Sequence, residues 1–314
     1  MSELPAELAL CLETAQSAQH SLLVRLRALG LLAQTIDQAF TGSSSSLFSP
    51  STVTQAMLAR QRTLTTTEVT AIFTQISQIL HDEIIPLLAQ HQIRISPVEL
   101  LADAAREWLQ GYFNHRIYPL LTPLAVDPGH PFPYISSDSL NYLVLLQTGN
   151  SPGVGSGLLY ARVKVPRYAV PRLVFLPSLD PVVPSQPTVR HLIWSADIVR
   201  YFSPHLFPGM TVTGLYQFHL LRATYHCASD VGAIQVKQQK FAPVARLDIE
   251  ERIPQWLVRW LLEHLDVSTE MVVRCPIPLS IASLSDLADC VALVLGDSSS
   301  RADSNSSSQA PQMA

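Results

Sequence analysis

Apolar residues recur every three or four positions through the first third of the chain. Leu22, Leu23, Leu26 and Leu29, followed by Leu32, Ile36 and Phe40, mark one stripe, and residues 4–40 are predicted to be helical. Thr41–Thr52 carries turn and loop chemistry. A second stripe, from Ile72 and Phe73 through Ile76, Ile79, Leu80, Ile84 and Leu87, predicts a helix over about Glu68–Gln92. Pro86 lacks an N–H and should kink that helix or end it near Ile85. Ser96 as N-cap, with Pro97 at the first helical position, predicts a third helix through Trp108 to about Tyr118. Residues 1–118 therefore read as an all-α unit.

Beyond it the period changes. Pro123, Pro128, Pro131 and Pro133 punctuate the stretch LTPLAVDPGHPFPYISSDSLN, so neither a helix nor a central strand can run through it. Ser139–Gln147 and Leu158–Pro166 read as a hairpin around the glycine-rich turn Asn150–Gly157, and RLVFLP reads as a third short strand. A helix is predicted over about Val189–Phe202, strands over Thr211–Ala223 and Pro243–Glu250, and a last short strand and turn in Glu270–Ser280. IPQWLVRWLLEHL is an amphipathic helix with Trp256, Leu257, Trp260, Leu261 and Leu265 on one side, and both tryptophans read as core. SLSDLADCVALVL closes with a helix that Ser283 or Ser285 caps. The fold class is α+β: residues 119–296 form a mixed α/β unit with a mainly antiparallel sheet, and the Ser-rich residues 297–314 read as a disordered tail.

Composition narrows this picture. Of 314 residues 47% are apolar and only 15% charged, with a net charge of -4 and a pI near 6.2. A dedicated nucleic-acid binder would show a basic excess, so no nucleic acid is expected as partner. Cys11, Cys227, Cys275 and Cys290 form no C-x-x-C pair, which speaks against a zinc site, and their scatter does not suggest a disulfide framework. The N-terminus lacks the basic start of a secretory signal and no apolar run approaches a membrane span. The expected location is the cytoplasm.

Candidate chemistry is sparse. Asp127 and His130 lie three apart in the proline loop and would make an acid–base pair, although loop-internal hydrogen bonding explains them as well. GNSPGVGSG matches no phosphate-binding fingerprint and leads into a strand. Cys227 is beside His226 in sequence only. Arg162 and Lys164 share one strand face, with Arg167 and Arg172 following, in the densest basic stretch of the chain. A polyanion would bind along it electrostatically, while a solvated sheet face needs no ligand.

One stretch carries a resemblance. YFNHRIYPLLTPLAVDPGHPFPYISSDSLNYLVLL, Tyr112–Leu146, resembles the start of the head domain of bacterial polyphosphate kinases, which have a variant of IFPVLTPLAVDP followed by HPFP-I-S-LSLN. YARVKVPRYAVPRLVFLP, LFPGM and VARLDIEERIP follow in the family's order, and upstream LLVRLRALGLLAQTIDQAF and HDEIIPLLAQHQIRI are similar to its N-terminal helical segment. The resemblance covers about residues 20–290.

It implies an N-terminal helical domain and a head domain, in a family that transfers the terminal phosphate of ATP to polyphosphate through a phosphohistidine, with ATP and Mg²⁺ implied by the family only and no cofactor intrinsic to this chain. The phosphohistidine and magnesium-linked arginines of the family lie in its C-terminal half, which has no counterpart here. His130 is not that histidine. The family's nucleotide-contacting asparagine, in an SSNLDEFF-like motif, is replaced by Thr35 in AQTIDQAF, while Asp37 and Phe40 are retained. Where the family has an FRVTRNAD-like strand this chain has FHLLRATYHCA; Arg222 fits, whereas His219, Ala223 and Tyr225 do not. The expectation is a truncated relative, not catalytic alone, that binds a polyphosphate kinase catalytic half or full-length enzyme, or binds polyphosphate through Arg162, Lys164 and Arg167. The alternative is the N-terminal half of a split or incomplete kinase, with Thr35 facing the nucleotide. Head domains in the family contribute to dimer contacts, so a homo- or hetero-oligomer is implied.

Overall fold

Two helices occupy the stretch 4–40 that the apolar pattern marks as helical, and the stripe from Leu22 to Phe40 lies within the second. The first, α1, spans Ala6–Gln16 and the second, α2, spans Leu22–Thr41. Ser21 separates them: its side chain accepts a hydrogen bond from the Val24 N–H and caps α2. Gly42 ends α2 with a left-handed φ of 71°. The structure is a computed structural model that describes residues 4–42, 64–126, 132–148, 158–177, 189–223, 242–276, 279 and 281–306, with side chains up to residue 296.

The third helix, α3, spans Thr66–Ile79 and starts with a reciprocal capping box between Thr65 and Glu68. Pro86 acts as expected, with a specific geometry. A π-helical turn, Leu80–Ile84, precedes a short helix α4, Ile85–Gln90, in whose first turn Pro86 sits. The π turn absorbs the hydrogen bond that proline cannot donate. The next helix departs from expectation. Pro97 is extended, Val98–Leu100 forms a 3-10 turn, and α5 begins only at Asp103, ending at Tyr112 before a π turn, Phe113–Ile117. Ser96 is not a cap. Its hydroxyl lies 2.8 Å from His191 Nδ1, because residues 93–95 are a strand, β1, beside the strand that holds His191.

The remaining strands are β2 (Leu124–Val126), β3 (Ser139–Thr148), β4 (Leu158–Lys164), β5 (Leu173–Phe175), β6 (Arg190–Trp194), β7 (Met210–Arg222), β8 (Val244–Glu250) and β9 (Val272–Cys275). They form a three-stranded sheet in the order β1-β6-β5 and a six-stranded sheet in the order β2-β4-β3-β7-β8-β9. All pairs are antiparallel except β1 with β6 and β8 with β9. The helix expected from Val189 is thus a strand in its first part. Leu192 and Ile193 are fully buried there, β6 is hydrogen-bonded on both sides, and helix α6 occupies only Ser195–Phe202. Helix α7 spans Gln255–Leu265 and α8 spans Leu284–Ser306.

The six-stranded sheet divides the core. Leu140, Tyr142, Val144 and Leu146 of β3 face the helices and join one cluster with Leu26, Ile36, Phe73 and Val291. Leu143 and Leu145 face the other way, with Phe218, Leu247, Leu257 and Leu261, under α7. Each such side chain contributes about 1.5–3 kcal/mol through burial. Trp256 is 47% exposed, against the expectation that it is core, because the inward stripe of α7 is Leu257, Val258, Leu261 and Leu262. Trp260 stacks between Tyr160 at 4.3 Å and His264 at 4.0 Å. The Asp127–His130 pair, the turn Asn150–Gly157 and Cys227 lie outside the described residues, as does the chain beyond Ser306.

Helix α2 meets the start of α8 at Gly30. A methyl group there would lie 2.3 Å from Ser285 Oγ and 2.8 Å from its backbone nitrogen. Gly30→Ala should therefore destabilise the fold by about 1–2 kcal/mol, the overpacking cost exceeding a helix-propensity gain of about 1 kcal/mol. A urea midpoint equal to or above that of the wild type would contradict this close approach.

Candidate functional site

A chain of charged groups runs from α2 across the helical face of the six-stranded sheet. Its centre is Arg246 on β8, 1% exposed. Its Nη2 donates to Asp37 Oδ1 on α2 at 2.6 Å and to Asp248 Oδ2 at 2.9 Å, and its Nε donates to Asp248 Oδ1 at 2.7 Å. The guanidinium carbon stands 5.0 Å from the Phe40 ring centre and 5.4 Å from that of Phe73. From Asp248 the chain continues to His219, whose Nδ1 is 3.1 Å from Asp248 Oδ2 and whose Nε2 is 3.2 Å from Asp138 Oδ1. Asp138 ion-pairs in turn with Arg167.

Strand register explains how these groups meet. His219 pairs with Asp248 across β7 and β8 and with Leu140 across β7 and β3, so all point to the helical face. Asp138 adopts a left-handed φ of 51°, a conformation that aspartate tolerates better than most residues, and its N–H is fixed to the Leu220 carbonyl at 2.8 Å. Burial opposes the charge on Arg246, but Asp248 and Asp37 more than offset it and raise its pKa. Burial likewise pushes the Asp248 carboxyl upward, yet Arg246 and His219 prevail and hold it below its ordinary value.

The end of this chain opens on a cleft of about 690 Å³. One wall is α2, with Gln34, Asp37 and Gln38; another is the segment Tyr134–Asp138; a third is the start of α8, with Ser285 and Asp286. Arg167, Arg172 and Arg222 line it. Arg222 donates from Nε to the Ile135 carbonyl at 2.9 Å and from Nη1 to the Ala242 carbonyl at 2.6 Å, and stands 4.6 Å from the Tyr134 ring centre. It has no carboxylate partner among the described residues. Arg172 is 9% exposed and makes no side-chain hydrogen bond or ion pair among the described residues. Burial, and then the like charge of Arg167, lower its pKa. Gln34 Nε2 donates to Ser285 Oγ at 3.1 Å, bridging two walls.

The expected site residues are not all brought together. Thr35 is on α2, but its hydroxyl donates to the Leu31 carbonyl of its own helix at 2.9 Å, and its neighbours Gln34 and Gln38 line the cleft instead. Arg162 is 7% exposed and donates to Asn141 Oδ1 at 2.8 Å; it stands with Lys164 on the α7 face of the sheet. Lys164 is exposed and donates to Ser136 Oγ, a cleft residue, at 3.0 Å. Only Arg167 of the basic trio lines the cleft itself. Arg172 and Arg222 stand out in the sequence without a cleft role, and Asp138 is not singled out there; the fold brings all three to the cleft. The sequence signals are the basic stretch after β4, which includes Arg172, and the strand motif that Arg222 fits. Among the described residues no group of three His, Cys, Asp or Glu side chains is placed to hold a metal ion, and no helix is long and apolar enough to cross a membrane.

Comparison with known proteins agrees with this architecture. Residues 104–287 match the family model described as the polyphosphate kinase middle domain. The polyphosphate kinase of Prosthecochloris aestuarii is 33% identical over 227 residues, covering 70% of this chain and 31% of that relative. That of Thermosynechococcus vestitus is 35% identical over 205 residues, covering 62% and 27%. The chain thus spans about three tenths of the length of the curated relatives it matches. The crystal structure of polyphosphate kinase from Porphyromonas gingivalis matches with a TM-score of 0.68 at 20% identity, over 89% of this chain and 39% of that one, which establishes a shared fold.

Two outcomes follow from the charge chain. Arg246→Ala leaves two carboxylates buried without their cation and should cost about 3–5 kcal/mol, read as a lowered urea midpoint. The depressed Asp248 carboxyl contributes stability that is fully present above about pH 4, the ordinary aspartate value, and is lost as pH falls below it. Asp248→Asn should flatten the stability profile below about pH 4; an unchanged acid limb would show that Asp248 does not supply it.

Proposed function

The chain belongs to the polyphosphate kinase family, and from that premise we propose that the described residues serve as a binding module for phosphate-bearing substrates and do not transfer phosphate by themselves. The observation that carries this reading is the cleft of about 690 Å³ that Arg167, Arg172 and Arg222 line. Guanidinium groups match phosphate oxygens in geometry, remain charged, and lose less hydration energy than ammonium groups do. The volume suits a segment of polyphosphate or the phosphates of a nucleotide. The partner that completes the transfer is a phosphohistidine-bearing catalytic unit of the same family.

A second reading places ATP here, and one observation favours it. Gln34 and Gln38 bring amides to the cleft beside Thr35, supplying the paired donor and acceptor that a threonine hydroxyl lacks. The base would then lie against α2 and the phosphates would run toward the arginines. On either reading His219, linked to the cleft through Asp138, is no phosphoryl acceptor, since both its ring nitrogens face carboxylate oxygens.

Titrating the purified chain with long-chain polyphosphate and with ATP·Mg²⁺ by calorimetry, and assaying polymer growth, tests this. Saturable polyphosphate binding that weakens with salt is expected, together with a loss of about tenfold in Arg167→Gln and no net polymer synthesis. Robust synthesis by this chain alone, or an affinity indifferent to both salt and Arg167→Gln, overturns the proposal.

A further inference from the structure

We infer that the wall of the cleft at Arg172 is a subsite for one phosphate group, the end group of a phosphate-bearing ligand and not the middle of a long polyanion. The inference rests on the binding reading above and assigns a part of the ligand to a part of the cleft.

A cation 9% exposed and without a hydrogen bond or ion pair among the described residues is a state that folded chains avoid. Arg172 is placed there by the backbone just before β5, where its carbonyl accepts the Ser195 N–H at 2.9 Å. Its side chain borders the cleft on one side. On the other it borders a small cavity of about 20 Å³, enough for one water molecule, which Ser195 also lines. The Ser195 hydroxyl is itself buried and without a partner. Among the described residues, a cation without a hydrogen bond or ion pair and a hydroxyl without a partner therefore border one cavity, and an anion at Arg172 would answer the cation.

Neighbouring groups fit a phosphate. Helix α8 begins at Leu284, and the N–H groups of its first turn carry partial positive charge. Ser285 accepts the Gln34 amide, which leaves its hydroxyl proton to be donated. Arg167 lines the same cleft.

Charge balance limits the ligand to one group. Arg246 is answered by Asp37 and Asp248, and Arg167 by Asp138. Arg172 and Arg222 remain, opposed by the exposed carboxylate of Asp286. That surplus suits a single phosphate. A long polyanion laid across the cleft would meet Asp286 and Asp138 as well, and its remaining length belongs outside.

Inorganic phosphate, pyrophosphate, ATP·Mg²⁺ and long-chain polyphosphate are the probes, applied to the full chain, Arg172→Gln and Arg172→Lys, with melting temperature and calorimetry as readouts. Without ligand, Arg172→Gln should melt at or above the wild type, since no hydrogen bond or ion pair among the described residues is lost. Pyrophosphate should bind one per chain and raise the wild-type melting temperature but not that of Arg172→Gln, with Arg172→Lys intermediate. Affinity should fall about tenfold or more in Arg172→Gln. Whether ATP or polyphosphate depends more strongly on Arg172 identifies the source of the end group. A ligand-free Arg172→Gln that melts lower than the wild type shows the side chain to be structural and overturns the inference. Polyphosphate binding unaffected by Arg172→Gln overturns it while leaving the binding module intact, and absence of all binding removes both.

Discussion

The interaction on which the rest depends is the burial of one guanidinium, Arg246, between a helix and a sheet. Water cannot solvate it, so its ligands must come from both sides at fixed distances: Asp37 from α2, Asp248 from its own strand, and the faces of Phe40 and Phe73. Replacing such a cluster with apolar side chains would often leave a protein no less stable. What the cluster adds here is a docking position. Apolar stripes allow a helix to slide along a sheet by a turn at small cost, whereas a carboxylate displaced by one turn from a buried cation leaves both unpaired. The Leu26–Ile36 stripe brings α2 to the sheet, and Asp37 sets where along it the helix stops.

That position is transmitted to the cleft through a series of shared acceptors. Asp248 serves Arg246 and His219; Asp138 serves His219 and Arg167. Each carboxylate bridges two donors, so moving one member moves the next. A second polar node steadies the far part of β7. Tyr142 donates to the Ala196 carbonyl at 2.8 Å and accepts from Gln217, while Glu250 accepts from Arg200 at 2.6 Å and from the Gln217 N–H at 3.0 Å. The two nodes lie on the same face of the sheet, one beneath α2 and one beside α6. At the end of β7, past a register shift between Leu221 and Arg222, Arg222 meets the Tyr134 ring.

Much of the fold was legible because apolar period and proline placement act locally. The β3–β4 pair and the break at Pro86 follow from residues near in sequence, and β7 and β8 were legible from their own strand-like pattern although their partners lie far along the chain. Residues 93–95 and 190–194 were not legible, because β1 and β6 are strands only by virtue of each other and of β5. Isoleucine and leucine in a run this short fit a helix equally well. Trp256 misled because its aromatic bulk suggests burial, while one turn of α7 already had enough aliphatic side chains to cover the sheet. The basic stretch after β4 announced positive charge without its destination. Strand parity sends Arg162 and Lys164 to the α7 face, whereas the turn beyond β4 carries Arg167 and Arg172 around to the cleft. His219 and Asp138 were illegible as a pair, since only strand register joins positions 81 residues apart.

These arrangements bear on why the cleft suits holding more than reacting. A phosphoryl acceptor needs a lone pair free to approach phosphorus in line, and both His219 nitrogens already face carboxylate oxygens. Freeing Nε2 would require Asp138 to leave, yet Asp138 also holds Arg167 and sits in a left-handed backbone conformation fixed by the Leu220 carbonyl. β7 carries FHLLR, with the His219 imidazole between two aspartates. A histidine there accommodates both carboxylates in the width of one strand pair and leaves the arginines of the cleft, Arg172 and Arg222, as the groups without carboxylate partners. The positive surplus of the site therefore stands at the cleft wall, in guanidinium groups, which match phosphate oxygens in geometry and do not react with them.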